Sequence, residues 1–167
     1  MSDSQSEPEN PQASILRLCK LHCANGDHAQ AEPLLEQLLE KSERLHGSEH
    51  EDTIALVDTL AAIYRVQDKF SEADPLCKRV LDFCEQTLGL EHPKTLGSVH
   101  DIAWLRFMQG RLKEAIKLMS RVAESREKVL GHSNADTLLA NEDLECLRFL
   151  LEVQEQTTHG SVNRSKK

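Results

Sequence analysis

Gly47, Gly89 and Gly131 stand 42 residues apart, and so do Thr53, Thr95 and Thr137. Ala31, Ala73 and Ala115 keep the same interval, as do Leu34, Leu76 and Leu118, and a fourth register runs through Leu18, Leu60, Ile102 and Leu144. A fixed period of this size marks an array of stacked supersecondary units, because a unit so small cannot bury its own apolar face. Within the middle unit, Ile54, Val57, Leu60, Ala61 and Tyr64 follow the i, i+3, i+4, i+7 spacing of one helical face. After a polar break at 67–69, Ala73, Leu76, Cys77, Val80, Leu81 and Cys84 form a second such face. Each unit is therefore a helix pair, and the expected fold class is all-α.

The junction between pairs is written three times, as LHGSEHEDTI (45–54), TLGLEHPKTL (87–96) and VLGHSNADTL (129–138). Gly89 is placed to end a helix in the left-handed conformation. Pro93 is placed at the start of the next helix, where its missing N–H costs nothing. The pattern predicts seven helices over 12–25, 28–46, 51–67, 70–88, 93–109, 112–130 and 136–155. It divides the chain into a disordered tail (1–11), repeats at 12–50, 51–92 and 93–134, a cap at 135–155 and a second disordered tail (156–167).

The segment LAAIYRVQDKFSEADPLCKRVLDFCEQTLGLEHPKT (60–95) resembles the tetratricopeptide repeat in its long, kinesin-light-chain-like form. The motif slots hold Val57, Leu60, Ala61, Tyr64, Ala73 and Cys77 in this unit. In the next they hold Val99, Ile102, Ala103, Arg106, Ala115 and Met119, and in the first Ile15, Leu18, Cys19, His22, Ala31 and Leu35. A fourth unit begins near Asp136, but Asn141, Leu144, Glu145 and Arg148 fill its slots poorly, so it reads as a terminal cap. The resemblance implies a right-handed superhelix whose first helices line a concave groove that holds a partner peptide or helix.

By helical phase, that groove face carries Leu16, Lys20, Cys23 and Ala24 in the first unit and Asp58, Ala62, Arg65 and Val66 in the second. The third unit presents His100, Trp104, Phe107 and Met108, and the cap Glu142, Cys146, Phe149 and Leu150. Some family members clamp a chaperone's C-terminal carboxylate with lysine, asparagine and arginine in these slots. Here only Lys20 fits, so that ligand is not expected. The chain also lacks a preceding heptad region, so attachment to a motor is not implied.

Little in the sequence points to chemistry. Cys19, His22, Cys23 and His28 lie close enough in sequence to suggest zinc. Cys19, however, stands in the small-residue slot of Ala61 and Ala103, where a thiol acts as a small hydrophobe. Cys77 occupies the slot of Leu35 and Met119, and neither it nor Cys84 has an identifiable base. His46, His50, His92 and His132 fall in the junctions, where His92 reads as a turn residue. No P-loop, GxGxxG, HExxH or GxSxG motif occurs. No metal, cofactor or catalytic residue is expected, and an enzyme is disfavoured. The net charge of −8 argues against binding along a nucleic-acid backbone. No apolar run is long enough to span a membrane. Five scattered cysteines and a polar N-terminus without a secretory pattern point to the cytoplasm.

The expected function is therefore an adaptor that binds another protein. The alternative is a homo-oligomeric scaffold, a homodimer joined through residues 138–153, where Leu147, Phe149, Leu150, Leu151 and Val153 make the helix apolar on more than one face. Trp104 leaves two readings open. It anchors a partner in an open groove, or it lies under the cap through Phe149 and Leu150. If the register is right, Ala61→Leu or Ala103→Leu overpacks a helix contact and lowers the unfolding free energy by about 1–3 kcal/mol. Urea titration measures this, and wild-type midpoints in both variants would mean the register is misassigned.

Overall fold

The computed structural model describes the backbone of residues 11–164; the side chains at 11–14, 16, 20, 23 and 158–164, like residues 1–10 and 165–167, lie outside the described residues. Among the described residues there are seven helices and no strand: α1 (Pro11–Ala24), α2 (His28–His46), α3 (Glu51–Val66), α4 (Phe70–Leu88), α5 (Pro93–Met108), α6 (Leu112–Leu130) and α7 (Ala135–Arg164). The tail expected over 1–11 falls outside the described residues except for Pro11, which opens α1.

The chain divides into two units, Met1–Val80 and Leu81–Lys167, the division falling inside α4. In the first, α1 packs on α2 and α2 on α3 around Cys19, Ala31, Leu35, Leu38, Leu60 and Ile63. In the second, α5 packs on α6 and α6 on α7 around Val99, Ala103, Ala115, Met119, Val122, Leu144 and Leu147. The motif slots Ala31, Ala73 and Ala115 are all fully buried, as the period requires. Leu18 departs from its register. Leu60 and Leu144 are buried because they face the preceding helix pair, whereas no described helix precedes α1 and Leu18 is 42% exposed. Ile63, Leu105 and Leu147 form a further buried register that the single-stripe reading missed. Ile63 joins the core of the first unit and Leu147 that of the second, where the preceding helix pair of the same unit covers a face beside the motif stripe and widens the buried arc.

Two reversals per repeat shape each unit. The first follows the leading helix of each pair. Gly26, Asp68 and Gly110 adopt positive φ at 78°, 59° and 75°. The next N–H, on Asp27, Lys69 or Arg111, donates back to the carbonyl of His22, Tyr64 or Arg106, 2.8 Å in each case, which is the Schellman closure. One period on, residue 152 is Glu, and nothing stops the helix. That is why α7 continues through 156–164, where a disordered tail was expected.

The second reversal is the junction. Gly47 and Gly131 cap α2 and α6 with φ of 95° and 86° but ψ of 167° and 161°. Gly89 shares the positive φ at 91°. Gly47 and Gly131, one period either side of Gly89, are thus extended with positive φ, a region essentially confined to glycine. The following helix is capped from the side chain. His50 Nδ1 accepts from the Asp52 N–H, His92 Nδ1 from the Lys94 N–H, both at 3.2 Å, and Asn134 Oδ1 from the Asp136 N–H at 2.9 Å. His92 is a capping residue, with Pro93 beside it in the first turn.

Polar contacts repeat with the same period. Arg79 pairs with Glu43 and Arg121 with Glu85, both at 2.7 Å, tying the trailing helices of successive pairs together. In the first unit Lys69 Nζ donates to both oxygens of Glu32 at 2.7 Å. That hydrogen bond is the main cause that holds the Glu32 carboxyl below its ordinary value. The buried threonines differ from one another. Thr53 shares a 2.8 Å hydrogen bond with the Ser42 hydroxyl. Thr95 donates to the Gly89 carbonyl at 2.8 Å. The Thr137 hydroxyl is equally buried and has no hydrogen-bond partner among the described residues.

These contacts have measurable consequences. Thr53→Val strands the buried Ser42 hydroxyl and costs about 1–3 kcal/mol, and Thr95→Val costs about 1 kcal/mol. Thr137→Val is neutral or stabilising, because it removes a buried hydroxyl that bonds to nothing. Equal losses at all three sites in urea titrations would contradict this account. A carboxylate with a lowered pKa stabilises the fold above the ordinary carboxylate range, and that contribution is lost as pH falls through its folded value. Glu32→Gln therefore lowers the melting temperature near pH 7, and the gap to wild type narrows as pH falls below the ordinary carboxylate range.

Candidate functional site

The inner face of α5 begins as a problem of two stripes on one helix. Val99, Ile102 and Ala103 enter the core, while His100, Trp104 and Phe107 lie a little round the helix and are half-buried. Trp104 and Phe107 pack against the core cluster to which α7 contributes Ala140, Leu144 and Leu147. The two rings meet edge-on at 5.4 Å and 78°. The His100 ring lies 6.3 Å from Trp104. Asp143, on α7, brings its Oδ2 within 2.9 Å of His100 Nε2, and Trp104 Nε1 lies 3.2 Å from the same nitrogen. One ring nitrogen cannot donate to the carboxylate and accept from the indole together. The shorter contact to an acceptor-only carboxylate assigns the hydrogen to Nε2, donated to Asp143. Met108 completes the stripe and is 53% exposed.

The covering reading of Trp104 does not hold as it was framed. The stripe is half-covered by α7, but not through Phe149 and Leu150, which are themselves exposed, Phe149 by 63%. Leu147 takes the core position, and at ~100° per residue Phe149 points some 200° away from it. Truncating Trp104 would thus cost packing as well as any binding surface. Asp143 was invisible to helical phase, because its partner lies on another helix.

In the first unit, Asp58 and Val66 are exposed on α3, with Ala62 and Arg65 half-buried beside them. The side chains of Leu16, Lys20 and Cys23 lie outside the described residues. On α7, Glu142 and Cys146 are exposed.

The thiols Cys19, Cys77 and Cys84 are buried in helix-contact slots. His22 Nδ1 lies 3.8 Å from Asp27 Oδ2, and among the described residues no three His, Cys, Asp or Glu side chains converge on one point. Tyr64 donates to Glu36 at 2.8 Å. Burial, then the Glu36 hydrogen bond, pushes its phenol up to about 12, so it stays protonated at neutral pH. A cleft of about 320 Å³ opens where the α5–α6 turn meets α7, lined by Arg111, Leu112, Leu151 and Glu155. Lys113 and Glu155 pair at 3.5 Å at its edge. Leu151, one of the apolar α7 residues singled out by sequence, lines it, but none of the groove residues does. Among the described residues, no helix is long and apolar enough to cross a membrane.

Comparison with known proteins agrees with this architecture. The tetratricopeptide repeat model matches residues 11–73 and 53–128. No curated protein matches the chain. Two solved structures of a Podosopora anserina protein described as a kinesin light chain with nearly identical TPR-like repeats, one of them a substituted form, are similar at 27% identity and a TM-score of 0.75. They align with 97% and 96% of this chain and 76% of their own. BtubC (BKLC) from P. vanneervenii is similar in fold, at 17% identity and a TM-score of 0.75, over 97% of this chain and 65% of that one. With its 42-residue helix pairs and these similarities, the chain belongs to the tetratricopeptide repeat family, in the long, kinesin-light-chain-like form.

Proposed function

We propose that this chain is a non-enzymatic adaptor that binds a peptide or short helix of another protein. Tetratricopeptide repeats generally mediate protein–protein interaction, and their fold is typically a non-catalytic scaffold. The binding residues on this reading are His100, Trp104, Phe107 and Met108 on α5, Asp58, Ala62, Arg65 and Val66 on α3, and Leu16, Lys20 and Cys23 on α1. The observation that supports it is the α5 stripe. Two aromatic rings pack edge to face, half-exposed, with an exposed methionine beside them. Rigid aromatics in a partly desolvated patch are the residues that dominate binding energy, and methionine adapts to an irregular apolar partner. The likeness to proteins described as kinesin light chains supports a cargo-type peptide as the ligand class.

A second reading, self-association through residues 138–153, is favoured by one observation. Helix α7 exposes Leu138, Leu139, Phe149, Leu150 and Val153.

Met108 tests the adaptor reading without disturbing the core. Met108→Asp leaves the melting temperature within a degree or two of wild type, yet weakens binding of proteins captured by the wild-type chain at least ~10-fold. Capture of the same proteins with unchanged affinity by Met108→Asp would reject the α5 face as the binding surface.

A further inference from the structure

The contact between α5 and α7 has two sides, and each side recurs elsewhere in the chain. On α5, His100, Trp104 and Phe107 face the following helix pair. On α7, Asp143, Leu144 and Leu147 face the preceding one, with Asp143 paired to His100 and the two leucines in the shared core. One period after His100, Trp104 and Phe107 stand Glu142, Cys146 and Phe149. Three periods before Asp143, Leu144 and Leu147 stand Arg17, Leu18 and Leu21.

Both of these second sets are exposed. Phe107 is half-buried, whereas its counterpart Phe149 is 63% exposed; Leu147 is fully buried, whereas Leu21 is 56% exposed. Leu96, buried at the head of α5, becomes Leu138 on α7, which is 44% exposed. The outer face of α7 therefore offers the forward half of a repeat-to-repeat contact, and α1 the backward half. The charges match as well. Where the internal contact sets His100 against Asp143, the two exposed halves set Glu142 against Arg17, an acid against a guanidinium.

We propose that two copies of this chain associate head to tail, α7 of one against α1 of the next, reproducing the α5–α7 contact between molecules. Leu18 and Leu21 of one copy cover Cys146 and Phe149 of the other, and Arg17 meets Glu142. The proposal rests on the self-association reading given above and commits it to a heterologous contact rather than a pairing of α7 with itself. A heterologous contact leaves one free face at each end, so it adds copies until dilution or closure stops it.

The two geometries separate in a mixing experiment on the full chain, read by sedimentation velocity over a concentration series. Leu18→Glu spoils only the α1 face and Phe149→Glu only the α7 face; both positions are exposed, so helicity stays at the wild-type level. The wild-type mass climbs with concentration past two chains. Each variant alone needs at least ~10-fold more protein to leave the single-chain mass. An equimolar mixture of the two forms a species of two chains and nothing larger, because only one competent pair of faces remains. The charge-reversed variants Arg17→Glu and Glu142→Arg are each weak alone and restored on mixing, where both pairings are complementary again and growth past two chains resumes; they replace the first pair if either of those loses helicity. If Leu18→Glu associates as readily as wild type while Phe149→Glu does not, α7 pairs with itself: self-association stands and the head-to-tail contact is overturned. If the wild-type chain keeps the single-chain mass at every concentration, both fall.

Discussion

A helix pair repeated every 42 residues depends on the chain's ability to reverse direction twice in each period. Packing supplies the stability, but only after the turns have set the helices side by side. Both reversals need positive φ, which costs an L-residue free energy that glycine does not lose. The junction keeps glycine every time. The inner turn uses Gly26 and Gly110 but tolerates Asp68, whose short side chain is among the few that enter this region readily. Where the fourth copy carries Glu152, the reversal does not occur, and α7 becomes one helix of 30 residues with no second helix after it among the described residues. The architecture of the C-terminal end is thus decided by a single unsuitable turn residue.

Much of this was legible in the sequence because periodicity reports burial directly. The bounds of α2, α4 and α6 follow from it to the residue, and the alanine and threonine registers are buried as the spacing requires. What could not be read depended on partners far along the chain. The capping role of His50 and His92 needs the ring to turn back on its own backbone, and histidine is not a residue whose presence signals a cap. The Glu43–Arg79 and Glu85–Arg121 pairs span 36 residues and show only once the helices are stacked. The wide buried arc that takes in Ile63 and Leu147 follows from cover by the preceding helix pair of the same unit, which a single helical wheel does not contain.

The candidate site illustrates the same division. Helical phase puts His100, Trp104, Phe107 and Met108 on one face, and the rings of the first three are in contact along α5. It could not tell that α7 half-covers that face through Asp143 and the core leucines while Phe149 turns outward. The α5 stripe is a local variation on a repeated frame. The positions that hold Asp58, Ala62 and Arg65 in α3 hold His100, Trp104 and Phe107 in α5, with the flanking core positions left apolar. A repeat array can change its recognition surface in this way without altering the contacts that hold it up.

The buried cysteines carry a consequence for how the molecule can be watched. Cys19 sits in the first unit and Cys84 in the second, each in a slot sealed by neighbouring side chains, while Cys146 stands open on α7. A thiol reagent can reach the sealed pair only when the surrounding helices part. The rate at which each is labelled therefore clocks the opening of its own unit, with Cys146 as the internal standard for an unprotected thiol. The chain carries natural reporters of local breathing in both halves, and no cysteine has to be introduced to read whether the two open together or apart.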